Sequence, residues 1–321
     1  MNSDPFFNSE SLTEESFGRQ WLQQLTAWRR LLAQCGRKPS RKHVHALRVV
    51  TLRLQALLVF WLQTHKHDAA AHAARRWNKQ ATRLRDALQP ARSAEVCLSK
   101  FAELRRHTVN GAVRSVNGFA PGADCARQIA ELQRRFTQQR RVAEKELVEE
   151  IDSRRERLER RSEEIENEMA GPVVQDGTVG AEGLRERIAG LAAEFPSLSE
   201  DCLHEYRKRI KNLRYLAEFF AASDPRTAQQ ADDLRRMQTV IGEWRDWQLL
   251  AKKARRMLKD EESALPDLLA ALETKALRRA VRSCGRLQER LLQAGADTQS
   301  QQKRPVQAVR VEDVRSERQR A

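Results

Sequence analysis

The sequence predicts an all-α protein, on three observations. Ala, Leu, Arg, Glu and Gln, the strong helix formers, dominate it. Only 13 Gly and 9 Pro punctuate 321 residues. No stretch alternates polar and apolar between turn residues, the pattern a half-buried strand requires.

The first helix has a start signal at Ser11-x-x-Glu14, where hydroxyl and carboxylate each satisfy an orphan backbone N–H. Phe17, Trp21, Leu25, Trp28 and Leu32 then recur at three- and four-residue spacing, one buried stripe, and Gly36 and Pro39 close the helix. Further helices are expected over 40–66, 69–89, 91–109, 123–169, 184–194, 199–222, 226–240, 242–262 and 266–295. Glycines, asparagines and a proline between Asn110 and Gly122 mark the first loop, and Gly171-Pro172 to Gly183 reads as a central linker. The domain reading is a tail at 1–13, a helical half at 14–170, the linker at 171–183, a second half at 184–295 and a disordered basic tail at 296–321.

Over 141–169 acids outnumber bases, with Ile151, Leu158 and Ile165 seven apart as a narrow seam. A solvated helix laced with charge pairs is expected there, with a coiled-coil surface for a protein partner as the alternative. Either way, positive charge is concentrated elsewhere in the chain.

That charge is large: 59 Lys+Arg against 44 Asp+Glu, a net +15, so the protein should seek an anionic partner. The longest unbroken run of large apolar residues, Leu57 to Leu62, is far short of the ~20 residues of a membrane span, and no basic start leads into an apolar signal segment. Five scattered cysteines without a C-x-x-C pair argue against a disulfide framework or a zinc knuckle. A soluble, cytoplasmic protein is expected. Cys35, Cys97, Cys202 and Cys284 lie in helical patterns that would bury them. Trp21, Trp28, Trp61 and Trp77 fall on apolar stripes and read as core, while Trp244 and Trp247 flank Arg245-Asp246 and stay open.

Two stretches carry the functional reading. The first is Arg41-Lys42-His43-Val44-His45-Ala46-Leu47-Arg48, continuing to Arg53; the second runs from His204 to Tyr215. Residues three, four and seven apart share a helix face. His204, Arg207, Lys208, Lys211, Arg214 and Tyr215 therefore form a basic stripe, with Leu203, Ile210, Leu213, Ala217 and Phe220 turned inward. Arg41, His45 and Arg48 form a matching stripe opposite Val44, Leu47, Leu54 and Leu58. Both contain His-x-x-Arg, about half the chain apart, which points to internal duplication. A second element follows each: Pro90-Ala91-Arg92 after the first, Gly242-Glu243-Trp244-Arg245-Asp246 after the second, each expected to start a new helix with an Arg in its first turn. A row of like charges is unfavourable until something neutralises it, and Arg forks, Lys and protonated His all bind phosphate oxygens.

These residues resemble the CHAD domain, the conserved histidine α-helical domain, over about residues 14–295. The resemblance rests on Val44-His45-x-x-Arg48-Val49 with Arg53, Pro90-Ala91-Arg92-x-x-Glu95-Val96, His204-x-x-Arg207-Lys208-x-x-Lys211-x-x-Arg214-Tyr215 and Gly242-x-x-x-Asp246. It implies two antiparallel four-helix bundles related by a pseudo-two-fold axis, a basic groove or pore between them, and binding of inorganic polyphosphate. The site residues expected on these grounds are Arg41, His45, Arg48, Arg53, Arg83, Arg92, His204, Arg207, Lys208, Lys211, Arg214, Tyr215 and Arg245.

The chain departs from the family pattern where Leu52-Arg53-Leu54-Gln55 replaces a run of arginines and where Ser93 follows Arg92. Either the N-terminal half holds ligand more weakly, or Arg75, Arg76, Lys79 or Arg83 supplies the missing contacts. No triphosphate-tunnel strand motif is present. His43 with His45, and His65, His67 and His72 with Asp68, cluster without the His-x-x-x-His spacing of a metal-binding helix, so no metal or other cofactor is expected. No Gly-rich phosphate loop or nucleophile elbow points to catalysis. The expected role is non-enzymatic polyphosphate binding, with association with polyphosphate granules as its cellular consequence. Nucleic acid is the competing polyanion, and a metal-dependent polyphosphate hydrolase is the remaining rival.

Overall fold

The computed structural model describes residues 14–63, 69–109, 123–169, 177–194, 200–221, 225–258 and 265–302. Among them are eight helices and no strand: α1 (Glu14–Arg37), α2 (Arg41–Trp61), α3 (Ala69–Val109), α4 (Ala123–Met169), α5 (Gly177–Ala193), α6 (Glu200–Phe220), α7 (Pro225–Met257) and α8 (Leu265–Gln302).

Two pairs of expected helices are fused. Pro90 lies inside α3 and Gly242 inside α7, so neither begins a helix. Proline in a helix interior removes one backbone hydrogen bond at a cost of about 3 kcal/mol. Burial on both sides of the break offsets it, with Leu84, Leu88, Ala91 and Ala94 all in the core. A Cβ at Gly242 would meet nothing within 4 Å, so its neighbours do not demand glycine there. Gly36 is also inside a helix rather than past its end. There a Cβ would come 3.1 Å from Ile151 Cγ2, so glycine permits the close approach of α1 to α4. Ser11 and the clustered His65, His67 and Asp68 lie outside the described residues, as do 303–321 of the expected tail. Helix α5 starts at Gly177, within the stretch read as linker, and α8 runs to Gln302.

Within the first half α1 packs on α2 and α4, and α3 on α2 and α4; within the second, α6 packs on α5 and α7, and α8 on α5 and α7. The halves meet through α2 on α6, α3 on α7 and α4 on α8. Trp28 and Trp77 meet edge to face at 5.5 Å between α1 and α3, and Trp28 Nε1 donates to Thr51 Oγ1 on α2 at 3.0 Å. Trp244 and Trp247 are buried as well, which resolves them as core. Cys202 is exposed, against expectation, while Cys35, Cys97, Cys125 and Cys284 are buried thiols.

Helix α2 is the one described helix long and apolar enough to cross a bilayer, although 61% of its most apolar window is buried here. Contact with α1, α3 and α6 explains that composition, because a helix surrounded by neighbours has little polar face to show. The seam of Ile151, Leu158 and Ile165 is buried in the chain's own core. Arg29 ties it to α1, donating from Nε to Ser162 at 2.8 Å and pairing with Glu166 at 2.5 Å. The apolar seam on 141–169 is thus already occupied, which removes the basis for a protein partner there.

Candidate functional site

The faces of α2, α3, α6 and α7 that meet across the halves bear the histidines and most of the expected cations. A cavity of about 960 Å³ opens between α2, α3, α5 and α6, with Arg48 and Gln55 of α2, Asn78 and Arg85 of α3, Arg187 of α5, Glu194 just after it, and Arg207 and Lys211 of α6 among its walls; His45, Arg92 and Arg245 lie outside that wall. The stripe on α6 faces this cavity because Leu203, Tyr206, Ile210 and Ala217 anchor its other side in the core. On α2, Val44, Leu47, Leu54 and Leu58 do the same for Arg48, and His45 stands one turn before it, close to Arg92. Ser40 caps that helix, accepting from the His43 backbone N–H at 3.2 Å.

Electrostatics show that the rows converge. Burial, with the charges of Arg207, Arg48, Arg85 and Lys208, pushes Lys211 down to about 8. Burial also pushes Arg48 down to about 10, helped by Arg85, Arg92 and Arg207. Arg207 is held below the usual guanidinium range by burial and by Arg245 and Arg92, against the pull of Asp246 and Tyr215. Each half therefore raises the positive potential felt by the other. His45 is depressed by burial, Arg92, Arg48 and Arg41, and His204 by burial, Arg245, Lys208 and Arg207, so both favour the neutral imidazole. Burial raises Asp246, while Arg92, Lys100 and Arg207 around it oppose the shift.

Partners divide the expected residues into two groups. Arg48, Arg92, Arg207, Lys211 and Arg245 have no ion-pair partner among the described residues. Arg48 is held by one hydrogen bond, from Nη1 to the Arg85 carbonyl at 3.4 Å, and Arg207 Nε is buried without a hydrogen-bond partner. Lys208 makes only an exposed pair with Glu205, at 2.7 Å, which competes weakly with a ligand.

Arg53, Arg214 and Tyr215 belong to a different assembly. Buried Glu218 accepts from Arg53 at 3.3 Å and Arg235 at 3.0 Å, with Arg214 3.6 Å away. The Tyr215 ring is buried between the Arg214 and Arg53 guanidiniums, 4.5 and 5.9 Å from its centroid, and packs on Leu52 and Ala56 of α2. This cluster fastens α6 to α2 beside the cleft. Arg41 is engaged by buried Glu95 at 2.9 Å. Arg83 stands in a separate groove between α3 and α4, with Glu146 and Glu150, and does not reach the cleft.

Arg85, which was not among the expected residues, takes the place in the wall that Arg83 cannot. Arg75, Arg76, Lys79 and Arg83 do not line the cavity, and Arg76 pairs with Glu164 on α4. The signal was present: Arg85 lies seven residues before Arg92 and shares its face, provided the helix continues through Pro90. Gln55, where the family pattern has a cation, donates instead to Asn78 at 2.8 Å and Thr82 at 3.0 Å, and its oxygen accepts from Arg85 at 3.3 Å. Among the described residues no group of three His, Cys, Asp or Glu side chains could hold a metal ion.

Comparison with solved structures gives the same architecture. The chain is similar to the crystal structure of the CHAD domain from the plant Ricinus communis, with a TM-score of 0.59 and 15% identity over 91% of this chain and 93% of that one. It is also similar to PptA from Streptomyces chartreusis, with a TM-score of 0.58 and 16% identity over 89% of this chain and 100% of that one. No curated protein matches it. The family model of the CHAD domain matches residues 18–255, a span that contains both histidine helices and both partner elements, and the chain belongs to the CHAD domain family.

Proposed function

We propose that the protein binds inorganic polyphosphate in the cleft between its halves, without catalysing a reaction, and that this binding directs it to polyphosphate granules. The observation that carries the reading is the unpaired set Arg48, Arg92, Arg207, Lys211 and Arg245, drawn from four helices across both halves. Cations held this close, partly out of water and outnumbering the nearby Asp246, create a strong local potential that a further anion relieves. A ligand contacting both sides must carry repeated negative charge. The helix pairing repeats in the two halves, which supports the tandem, pseudo-two-fold reading.

The same geometry disfavours nucleic acid, whose bases need stacking surfaces when single strands bind in grooves. All six tryptophans are core. Phe60, the aromatic on the cavity wall, stands edge-on to Phe220 at 5.8 Å with Arg187 over its ring at 5.2 Å. The cations and amides of the cleft suit phosphate oxygens, and the other apolar residues beside them, such as Leu52, Val59 and Leu213, are aliphatic and give bases nothing to stack on.

Competition titration tests this. Long-chain polyphosphate should displace duplex DNA at equal phosphate concentration, DNA should fail to displace polyphosphate, and affinity should fall steeply with salt as counterions are released. Equal competition in both directions would place the site among general polyanion binders and overturn the proposal.

A further inference from the structure

The central cleft has a continuation on one side. His204 lines the main cavity and also a second one of about 620 Å³, bounded by Arg245, Gln248, Lys252 and Arg255 of α7 and by Glu273 and Thr274 of α8. Arg245 lies at the junction, close enough to affect both His204 and Arg207. Beyond it Lys252, an exposed residue, has no ion-pair partner among the described residues, and Arg255 reaches Glu273 only at 3.6 Å. His204 Nδ1 and Gln248 Oε1 are buried without hydrogen-bond partners, so polar groups along this passage are left unsatisfied.

The corresponding way out past His45 is different. Arg92 stands beside His45 as Arg245 stands beside His204. Three residues after Arg245 comes Gln248; three after Arg92 comes Glu95, buried and paired with Arg41 at 2.9 Å and Arg140 at 3.3 Å. Glu144 follows, 3.5 Å from Arg140. A polyanion leaving past His45 meets carboxylates whose cations are already engaged. One leaving past His204 meets further cations.

We propose that the groove lined by His204, Arg245, Lys252 and Arg255 is a second binding track for inorganic polyphosphate, through which a chain too long for the central cleft leaves on the α7–α8 side. This rests on the polyphosphate reading of the cleft. It makes the bound polymer one-sided, with its overhang on the C-terminal half. A second stretch of contacts on the same molecule adds affinity by effective concentration rather than by a new encounter.

The test uses the full chain with tripolyphosphate and with long-chain polyphosphate, comparing wild type, Lys252→Gln and Arg207→Gln. Lys252 is exposed, so its replacement leaves the fold intact. Lys252→Gln should weaken long-chain binding by about threefold, lower the slope of log affinity against log salt by about one, and cost tripolyphosphate less. Arg207→Gln should weaken both ligands. If Arg207→Gln weakens both while Lys252→Gln weakens neither, or weakens them equally, the cleft binds polymer and the track does not exist. If Arg207→Gln binds both as wild type does, the polyphosphate reading of the cleft fails and the track with it.

Discussion

The N-terminal and C-terminal histidine helices look alike in sequence and differ in where their carboxylates lie. On α2, Arg41 is taken by Glu95 and Arg53 by Glu218, which leaves Arg48 facing the cleft. On α6, Arg214 alone is drawn to Glu218, and Arg207 and Lys211 both remain without ion pairs among the described residues. The number of cations in a stripe therefore does not measure a binding site. A buried acid in direct contact converts a cation into a strut, and a cation stays available to a ligand where no acid pairs with it, as at Arg207, which feels Asp246 without forming an ion pair. On this account the C-terminal helix dominates binding, and Arg85 and Arg92 of α3 make up part of what α2 lacks.

The largest expected effect is on the strut. Glu218→Gln removes the carboxylate that pairs with Arg53 and Arg214, both largely buried. Removing one partner of such a cluster costs about 3 kcal/mol, read as a lower denaturant midpoint with unchanged slope. If stability is untouched, the Glu218 assembly is not what joins α2 to α6.

Next come the cleft cations. Arg207→Gln should reduce polyphosphate affinity by about tenfold or more, the worth of a charge-assisted bidentate contact, with helical content retained. Arg48→Gln should cost less than Arg207→Gln. An equal or larger loss at Arg48 would break the asymmetry between the halves.

A pH titration sharpens the comparison. Lys211 in the cleft has its pKa pushed down to about 8, whereas bound phosphates would raise it toward the usual lysine value. Binding therefore takes up a proton near and above pH 8, and affinity falls as pH rises through that region. The stability of the fold itself should follow the opposite trend. Its unfolded chain holds the Lys211 proton up to the ordinary lysine range, so this group makes the fold more stable as pH rises above about 8. Lys211→Arg, charged throughout, should flatten the affinity profile between neutral and alkaline pH. His45 and His204, both depressed, should add a further rise in affinity on acidification below their ordinary range. Affinity independent of pH would mean that these groups do not face the ligand. The smallest effect is expected at Arg41→Gln, within about twofold, because Glu95 already holds that side chain.

Most of the helices could be read from apolar spacing alone, since Trp21, Leu25, Trp28 and Leu32 on α1, like Leu203, Ile210 and Ala217 on α6, are buried as their periodicity requires. The two His-x-x-Arg helices and the convergence of Arg48 with Arg207 and Lys211 were legible too. What escaped depends on distant partners or on helix phase. Arg53 is bound by a carboxylate 165 positions away, which no local pattern reveals. Arg83 and Arg85 lie on opposite faces of one helix. A break assumed at Pro90 severs Arg85 from Arg92 and hides which of the two turns to the cleft. Cys202, next to buried Leu203, shows how a shift of one residue on an amphipathic helix exchanges core for solvent.

The central claim is that cations from both halves hold one and the same polymer. A crystal structure of the protein with bound polyphosphate measures this directly. The account predicts one continuous chain whose phosphates lie within hydrogen-bond distance of Arg48 on α2 and of Arg207 and Lys211 on α6. Phosphates confined to one half, or spread over outer faces with the cleft empty, would contradict it.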